Sequence, residues 1–513
     1  MKKSNETCGK QAVPDANEPS SVAHRGTGDS SSSSPQGCCN SQPNSREVTQ
    51  DKLKLSTTSC CGGSTDAELP MAGISQVEPL RPGLSTELHR DLPVVVIGAG
   101  PVGLAAAANL VERKQSFLVL ESGGRIAASM RQWQHVRLFT PWSYLIDPAG
   151  KRLLLAANNN WIEPDANRVP DAREFVEKFL DPLASHREVA PNIRLNHKVV
   201  SVSREGHDRM KDGQRNEAPF LIVAETPQGP KRLRARAVID ASGTWTTPNP
   251  LGAGGIPADG ELHSQSKIQY GMPDILGRER QRYSGQRVLV VGSGHSATGN
   301  ILSLLNLAEA TPETSIIWGI RRSSPAKLWG GGNADDISER GLLGIRAKEA
   351  VDAGRVTLLT DLSVMALQEL SDGLEIIDGN GNVRTVVDEI IVSAGARPDL
   401  AMLRELRLEF DPATEAARSL GPLIDPNHHS CGSVPPHGAA ELRQPENGFY
   451  LAGMKSYGRA PTFLLMTGYE QVRSIVAEIA GDCESARKVQ LTLPSTGVCS
   501  TDLAFSERTS TSN

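Results

Sequence analysis

The sequence predicts an α/β fold in which two domains of similar architecture each contain a parallel sheet. Two glycine-rich turns support this prediction, because each follows a continuous apolar run and precedes a run suited to a helix. The first turn occupies residues 98–103 after the apolar run 94–97, and the second occupies residues 292–297 after the run 288–291. Continuous apolar runs are typical of parallel strands that are buried on both faces. Two such units in one chain predict two Rossmann-like dinucleotide-binding domains.

The first glycine-rich turn matches the dinucleotide fingerprint at each position. Gly98 provides the tight turn, Gly100 allows a pyrophosphate to approach the backbone, and Gly103 permits close contact between helix and strand. The following helix would direct its free N–H groups at the pyrophosphate. A second apolar run ends at Glu121, where a carboxylate accepts hydrogen bonds from ribose hydroxyls. An ordinary βαβ unit with a glycine turn is the alternative interpretation.

The second glycine-rich turn favours a different dinucleotide. Ala297 replaces the third glycine, which the fingerprint permits. The next predicted strand, residues 315–320, is followed by Arg321 and Arg322 rather than by a carboxylate. An arginine at this place accommodates a 2′-phosphate, so NADP is favoured over NAD, with a solvated arginine pair as the alternative. Two dinucleotides held face to face are suited to hydride transfer from a nicotinamide to a flavin.

Composition and charge exclude several classes of partner. The chain has 513 residues and a formal net charge of −5, so we expect no basic surface for nucleic acid. No apolar run reaches the roughly 18 residues of a membrane span. No apolar segment follows Lys2 and Lys3, as a secretory signal would require. We therefore expect a cytoplasmic protein without a membrane partner, and the sequence does not predict its oligomeric state.

The cysteines are concentrated near the start of the chain. Cys8 and the adjacent pairs Cys38-Cys39 and Cys60-Cys61 lie there, and the chain has no CxxC motif, the usual signature of a dithiol centre. In a cytosolic protein this distribution argues against a disulfide framework. The two pairs are suited to capturing a thiophilic metalloid or metal, or they are incidental cysteines of a flexible tail.

The order of segments predicts that one nucleotide-binding domain is inserted in the other. Residues 1–88 are rich in Ser, Gly, Pro and Asn and are predicted to be a disordered tail. Residues 89–270 and 400–490 are assigned to a discontinuous FAD-binding domain, and residues 271–399 to the NAD(P)-binding domain. Residues 491–513 are assigned to a polar C-terminal tail.

Two further segments carry specific expectations. The polar stretch 204–218 is predicted to be a hairpin or an excursion on the protein surface. Residues 467–479 are predicted to form a helix with apolar positions on one face. The positive N-terminal end of this helix would point at the flavin, where it would stabilise the reduced, anionic form.

Taken together, residues 91–485 resemble the flavin-containing monooxygenases and their pyridine-nucleotide oxidoreductase relatives. The matching features are the two glycine-rich turns and two crossings between the domains, residues 240–245 and 393–398. The resemblance implies that the first turn binds FAD and the second binds NADPH. The candidate cofactor-binding residues are Gly98, Gly100, Pro101, Val102, Gly103, Glu121, Trp142, Gly243, Gly292, Gly294, His295, Ser296, Ala297, Arg321, Gly395 and Gly453.

Three stretches resemble a narrower bacterial subgroup, the flavin-binding monooxygenases of arsenic-resistance operons. They are residues 135–142, 428–432 and 453–463. This resemblance implies a role in arsenic resistance.

The chain departs from its relatives at two places. The monooxygenase fingerprint Phe-x-Gly-x-x-x-His is represented only by residues 258–263, which lack the Phe and are one residue short. Disulfide reductases place an Asp after the late glycine that holds FAD, whereas Met454 follows Gly453 here. The first departure argues against oxygenation, and the second argues against a disulfide reductase.

The resemblance implies an NADPH- and FAD-dependent monooxygenase that acts on a small-molecule substrate and molecular oxygen. Its reactive species would be a C4a-(hydro)peroxyflavin that oxygenates a small soft nucleophile or a ketone. The alternative is an NADPH-dependent flavin reductase or oxidase that acts on a thiol, metal or metalloid through Cys431 and Cys499. A third possibility is a redox-sensing or metalloid-binding protein that holds its nucleotides structurally.

Two basic residues after the late glycine are the candidate catalytic residues. Lys455 and Arg459 follow Gly453 closely, so we expect them near the flavin or an anionic substrate, with a surface salt bridge as the alternative. Trp142 and Tyr144 are candidates for the wall of a substrate pocket or for ordinary core residues.

Overall fold

The computed structural model describes residues 89–157, 161–330, 332, 335, 337–428, 434–461 and 463–491. The predicted tail 1–88, all but the first residue of the predicted tail 491–513, and both Cys431 and Cys499 lie outside the described residues.

The strands fall into two parallel and two antiparallel sheets. In chain order they are β1 (Val94–Ile97), β2 (Phe117–Leu120), β3 (Ile193–Arg194), β4 (Lys198–Arg204), β5 (Phe220–Glu225), β6 (Lys231–Ala235), β7 (Ala237–Asp240), β8 (Ile268–Tyr270), β9 (Arg287–Val291), β10 (Ser315–Gly319), β11 (Thr357–Leu359), β12 (Val364–Leu370), β13 (Gly373–Asp378), β14 (Val383–Val387), β15 (Glu389–Val392) and β16 (Phe449–Leu451).

The helices flank the parallel sheets. They are α1 (Pro101–Glu112), α2 (Ala128–Gln132), α3 (Pro148–Ala156), α4 (Ala172–Phe175), α5 (Asp181–Ala184), α6 (Arg280–Tyr283), α7 (His295–Ala310), α8 (Ser338–Asp352), α9 (Gly421–Ile424), α10 (Ala439–Leu442), α11 (Leu465–Ile479) and α12 (Cys483–Arg487). No helix of the described residues is long and apolar enough to cross a membrane.

Two five-stranded parallel sheets confirm the predicted fold class. The first has the order β16-β7-β1-β2-β3 and the second the order β11-β10-β9-β15-β8. The strands of the first sheet come from chain segments before and after those of the second sheet, because β16 follows β15 in the chain and pairs with β7. The second unit is therefore inserted in the first. Since β8 pairs with β15, the second sheet begins a few residues before the predicted boundary at residue 271.

Each unit carries a three-stranded antiparallel sheet at the same place in its topology. Strands β4, β5 and β6 precede the fourth strand of the first unit, and β12, β13 and β14 precede the corresponding strand β15 of the second. The two units thus repeat one architecture, as the paired glycine-rich turns predict.

Small side chains let α1 lie close to the first sheet. Residues 105–108 are four consecutive alanines, and all of them are fully buried. Helix α11 packs on the same helix at its other side, where a Cβ placed on Gly468 would lie 2.7 Å from Val102 Cγ2. This tight packing brings the start of α11 next to the first glycine-rich turn.

A π-helical turn, Val176–Leu180, joins α4 to α5. Pro182 has no N–H with which to bond the carbonyl of Lys178, four residues earlier, and such a loss interrupts α-helical bonding. The Nε1 group of Trp161 donates to that carbonyl oxygen at 2.8 Å. The loop that carries Trp161 is therefore attached to the helix at the turn.

Two buried arginines anchor the polar stretch 204–218 to the protein. Arg204 and Arg215 both pair with Glu446, at 2.7 and 2.9 Å, and all three side chains are at most 3% exposed. Removing one partner of a buried ion pair leaves an uncompensated charge, which is strongly destabilising. The stretch nevertheless joins antiparallel β4 and β5, and residues 208–214 are all exposed, as expected of a surface hairpin or excursion.

A buried carboxyl group begins α3. Asp147 is 2% exposed, and its Oδ2 atom accepts a hydrogen bond from the Gly150 backbone at 2.6 Å. Burial raises the pKa of Asp147 to about 7, against the smaller opposing effect of the Gly150 hydrogen bond. The folded protein therefore holds a proton on this group at pH values where the unfolded chain is already ionised.

We predict that this carboxyl group makes stability depend on pH. The free energy of unfolding should fall by up to about 4 kcal/mol as the pH rises from about 4 to about 7, because only the folded state resists ionisation. Asp147→Asn keeps an acceptor for the hydrogen bond from the Gly150 backbone and has no charge to bury. Its free energy of unfolding should therefore lack this dependence on pH. Denaturant unfolding of both proteins at about pH 4 and about pH 8 measures it. A stability difference between the two proteins that does not change with pH would contradict the prediction.

Candidate functional site

The first glycine-rich turn brings the backbone of strand, turn and helix into direct contact. A Cβ placed on Gly103 would lie 1.9 Å from the carbonyl oxygen of Gly98, so no larger residue fits there. Gly98 itself has φ +97°, and a Cβ on it would lie 2.9 Å from the carbonyl oxygen of Ala241. These contacts place the start of α1 directly at the carboxyl edge of β1.

The N-terminus of α1 is free to bind an anion. Its first position outside the helix is Gly100, which provides no side-chain cap, and Pro101 follows as the first helical residue. Within the part of the chain that the structure describes, and apart from Gly100 and its two chain neighbours, no atom lies within 4 Å of the position that a Cβ of Gly100 would take. An uncapped helix N-terminus beside open space fits the pyrophosphate of a dinucleotide.

Glu121 lies where the fingerprint requires, at the end of β2. Its side chain is buried, and its two oxygens accept hydrogen bonds from the backbone N–H groups of Ala99 and Gly123, each at 2.8 Å. The carboxylate therefore also braces the glycine-rich turn. Oε1 also accepts from Ser122 Oγ at 3.3 Å, whereas Oε2 keeps a second acceptor site that is compatible with binding a ribose hydroxyl.

The second glycine-rich turn repeats this geometry. Gly292 has φ +143°, and a Cβ on it would lie 2.3 Å from the carbonyl oxygen of Ser393. Asn300 donates to the Oγ atom of Ser393 and to the carbonyl oxygen of Gly271, both at 2.9 Å. Helix α7 begins after Gly294 without a side-chain cap, so its N-terminus is also free for a phosphate group.

Three side chains distinguish the second turn from the first. Arg321 and Arg322 are exposed at the end of β10, and Arg321 donates to the carbonyl oxygen of Ala253 at 3.3 Å. His295 is the first residue of α7, and its ring lies 5.1 Å from that of Phe139. Desolvation by the surrounding protein lowers the pKa of His295, and the charge of Arg340 lowers it further. A neutral imidazole therefore faces the first unit.

A single cavity of about 1050 Å³ opens on both glycine-rich turns. Its wall includes the predicted site residues Gly98, Gly100, Pro101, Val102, Glu121, Gly243, His295, Ser296, Gly453 and Lys455. Large apolar side chains from residues 130–145 and 463–466 form much of the remaining wall. A cavity of this size accommodates large organic ligands, and its walls come from both nucleotide-binding units.

The two crossings between the units lie side by side. Asn249 donates its backbone N–H to the carbonyl oxygen of Gly395 at 2.9 Å, and Arg397 donates to that of Thr247 at 3.0 Å. Pro248 and Ala396 form an antiparallel bridge between these bonds. Gly395 lies outside the cavity wall, and its carbonyl oxygen joins the two crossings.

Lys455 is buried in an ion pair beside the first crossing. Its Nζ atom lies 2.7 Å from Asp240 Oδ2 and 3.1 Å from Ser242 Oγ, and both charged side chains are at most 1% exposed. Asp240 ends β7 and also accepts from the backbone and hydroxyl of Ser242. The pair joins the first crossing to the late-glycine turn, a 3₁₀ segment at Gly453–Tyr457.

Several predicted site residues lie outside the cavity wall. They are Gly103, Trp142, Gly292, Gly294, Ala297, Arg321, Gly395 and Arg459. Arg459 pairs with Glu415 at 2.6 Å on the protein surface, which matches the alternative interpretation of this residue and gives no support to a catalytic role. Trp142 is fully buried and packs against Phe175 in the core of the first unit. The remaining glycines and Ala297 shape the turns rather than line the cavity.

The cavity wall contains residues that sequence reasoning missed. Phe139, Leu138 and Met130 reach it from the segment between β2 and α3, and Phe463 and Met466 reach it from the start of α11. In the sequence, the stretch that contains Phe139 stands out only through its resemblance to a family. A run of aromatic and apolar residues in a segment outside the two sheets was the available signal for this wall.

A family model described as pyridine nucleotide-disulphide oxidoreductase matches residues 95–420, which is more than half of the chain. The chain belongs to this family. The predicted class of enzyme, a flavin-dependent oxidoreductase, and the predicted cofactors FAD and NADPH are thereby confirmed. The uncapped helix N-termini at both turns fit these two dinucleotides.

Curated relatives match this chain over a limited region. The indole-3-pyruvate monooxygenase YUCCA8 of Oryza sativa subsp. indica is 24% identical over 226 residues, which are 41% of this chain and 44% of that protein. The probable indole-3-pyruvate monooxygenase YUCCA7 of Arabidopsis thaliana is 26% identical over 226 residues, with the same coverage. The chain thus matches less than half the length of these relatives.

Solved structures share the fold of this family member. The bacillithiol disulfide reductase Bdr (YpdA) of Bacillus cereus has a TM-score of 0.54 and 17% identity, and the match covers 76% of this chain and 98% of that one. DfoA, the cadaverine monooxygenase of the desferrioxamine pathway of Erwinia amylovora, has a TM-score of 0.54 and 14% identity, covering 79% and 98%. Both reductases and monooxygenases therefore occur on this architecture.

We predict that Lys455 supports both the stability of the fold and the retention of FAD through its ion pair with Asp240. Lys455→Met leaves Asp240 buried without a counter-charge, so the free energy of unfolding should fall by about 3–5 kcal/mol and FAD should be lost on purification. The double variant Lys455→Met with Asp240→Asn removes both charges and should regain most of the stability and the FAD content. Denaturant unfolding and the flavin-to-protein absorbance ratio measure the two effects. A double variant that regains stability without FAD would contradict the prediction, because FAD binding would then need one of these two side chains itself.

Proposed function

We propose that the chain is a monooxygenase that uses NADPH and FAD to transfer one atom of molecular oxygen to a small soft nucleophile or a ketone. The observation that carries this proposal is the single cavity onto which both glycine-rich turns open. Bound FAD, once reduced by NADPH, supplies the electrons that activate oxygen. The role of the protein is to hold both dinucleotides and to keep water away from the reacting atoms.

The apolar part of the wall supports oxygenation. Leu138 and Phe139 line the cavity from the first unit, and the ring of Phe139 packs against His295 of the second. Phe463 and Met466 line it at the start of α11. Side chains of this kind exclude water from the space between the two turns, which protects a reactive oxygen species from hydrolysis.

The chemistry of the wall gives no support to a thiol reductase. The wall contains no cysteine among the residues that the structure describes. Within the same residues, no group of three or more His, Cys, Asp or Glu side chains is arranged to hold a metal ion. Cys431 and Cys499, on which the reductase alternative depends, lie outside this part of the chain.

The curated relatives add support of a different kind. YUCCA8 and YUCCA7 are named as monooxygenases, and they match this chain at 24% and 26% identity. Their substrate is not carried over at this similarity. The substrate, the arsenic-resistance link and the cytoplasmic location of this chain remain predictions.

NADPH is expected to bind at the second turn. The uncapped start of α7 would bind the pyrophosphate, and Arg321 with Arg322 would bind the 2′-phosphate at the end of β10. The start of α11 would face the flavin ring, where the positive helix end stabilises negative charge on the reduced ring.

The test of this proposal follows the fate of the electrons from NADPH. The holoenzyme is reduced with NADPH without air, mixed with oxygenated buffer and followed by stopped-flow absorbance, then assayed with sulfides, amines, ketones and organoarsenicals under ¹⁸O₂. We expect a transient spectrum distinct from both reduced and oxidised flavin, and ¹⁸O in the product of at least one compound class. Direct return to oxidised flavin, with all electrons recovered as hydrogen peroxide, would contradict the proposal.

A pair of phenylalanine variants controls this experiment. Phe139→Ala opens the wall between the two turns, so we expect a larger fraction of electrons in hydrogen peroxide. Phe410→Ala truncates a half-buried phenylalanine outside the cavity wall and should leave this fraction unchanged. If Cys431→Ser alone abolishes turnover while flavin reduction persists, the reductase alternative replaces the proposal.

A further inference from the structure

A buried chain of hydrogen bonds lies behind the late-glycine turn. The Gly453 backbone donates to Gln471 Oε1 at 2.8 Å, and Ser456 Oγ donates to the Gly453 carbonyl oxygen at 2.7 Å. Gln471 Nε2 lies 2.9 Å from Ser456 Oγ and 2.9 Å from His437 Nε2. Each of the three side chains is at most 2% exposed. No part of the oxidoreductase chemistry described above uses this chain.

The backbone decides the direction of every bond in this chain. Because the Gly453 N–H can only donate, the atom of Gln471 that it meets is the carbonyl oxygen. The amide nitrogen of Gln471 then donates its two protons, one to Ser456 Oγ and one to His437 Nε2. His437 Nε2 must accept, so the ring proton lies on Nδ1, where the Pro435 carbonyl oxygen accepts it at 3.0 Å.

The surroundings keep His437 neutral. Burial lowers the pKa of His437, while the Pro435 hydrogen bond and the charges of Glu441 and Glu470 oppose this effect. The ring of Tyr457 packs 5.6 Å away on the remaining side. A second proton on His437 would lie on Nε2, so that this N–H donor would face the Gln471 Nε2 group, which is also a donor. The amide must then rotate, which presents its N–H₂ group to the Gly453 N–H and breaks that hydrogen bond.

This chain ends at the cavity. Gly453 has φ +69° and lies in the cavity wall together with Met454. A Cβ on Gly453 would lie 3.2 Å from Val102, a residue at the start of α1. The turn is therefore held between the first helix and Gln471 of α11, and its position sets the shape of the wall on the FAD side.

We propose that Gln471 and His437 are positioning residues for the flavin. Through one saturated hydrogen-bond chain they fix the Gly453–Met454 backbone at the cavity, and protonation of His437 releases it. This inference rests on the proposed placement of FAD against the first turn, but not on the fate of oxygen. Neither side chain needs to touch the cofactor, since the ordered turn is what FAD meets.

The experiment measures FAD affinity without oxygen or turnover. His437→Phe, Gln471→Leu and the double variant are titrated with FAD by flavin fluorescence, beside the native chain. We expect each single variant to raise the Kd of FAD roughly tenfold, and the double variant to do no more than either single change. His186→Phe removes another buried histidine, at 3% exposed and outside the cavity wall, and should leave the Kd unchanged.

The pH dependence separates positioning from a general loss of stability. In the native chain, the Kd of FAD should rise as the pH falls and His437 gains a proton, and this rise should be missing in His437→Phe. Gln471→Glu supplies a carboxylate that accepts from both Gly453 and protonated His437, so its tightest binding should move to acid pH.

Additive effects of the two single variants, or a pH profile that His437→Phe leaves unchanged, would overturn the proposal. If His437→Phe and Gln471→Leu do not fold, the pH profiles of the native chain and of Gln471→Glu still test the proposal. Because FAD binding is measured directly, a failure of the monooxygenase proposal leaves this result intact, and the reverse also holds.

Discussion

The site depends on two glycine-rich turns whose backbone lies so close to neighbouring backbone that only glycine fits at one position of each. A Cβ on Gly103 would lie 1.9 Å from a carbonyl oxygen of the same turn, and a Cβ on Gly292 would lie 2.3 Å from the carbonyl oxygen of Ser393. A larger residue at position 103 would push α1 away from the first turn, and one at position 292 would push the second turn away from the backbone that follows β15. The close approach leaves the first N–H groups of α1 and α7 uncapped beside open space, where a phosphate group can satisfy them.

Buried polar groups then hold the segments that cross between the units. The Lys455–Asp240 pair attaches the late-glycine turn to the first crossing, and Gln471 attaches the same turn to α11. Such groups are costly to bury unless they are fully paired. Their arrangement fixes one geometry of the wall beside the first glycine-rich turn, because a partly broken network would leave charges or donors unsatisfied in the core.

The sequence predicts the fold and the turns because both follow from local patterns. Apolar runs identify buried strands, and glycine spacing identifies turns that only glycine can form. The cavity wall depends on contacts between distant segments, so Phe139 and its neighbour His295 could not be paired from the sequence. Lys455 and Arg459 look alike in the sequence, yet one is buried against Asp240 and the other lies on the surface against Glu415. Burial of this kind depends on tertiary packing, which local spacing does not encode.

We infer that the two glycine-rich turns present their dinucleotides to each other in one cavity. The most direct measurement is the rate of flavin bleaching when the holoenzyme is mixed without air with NADPH that carries deuterium at either face of nicotinamide C4. If the turns hold the two rings face to face, only one of the two deuterated forms should slow the reduction, because the hydride passes directly from one fixed face. Equal rates with both forms, or no reduction by NADPH, would contradict the account.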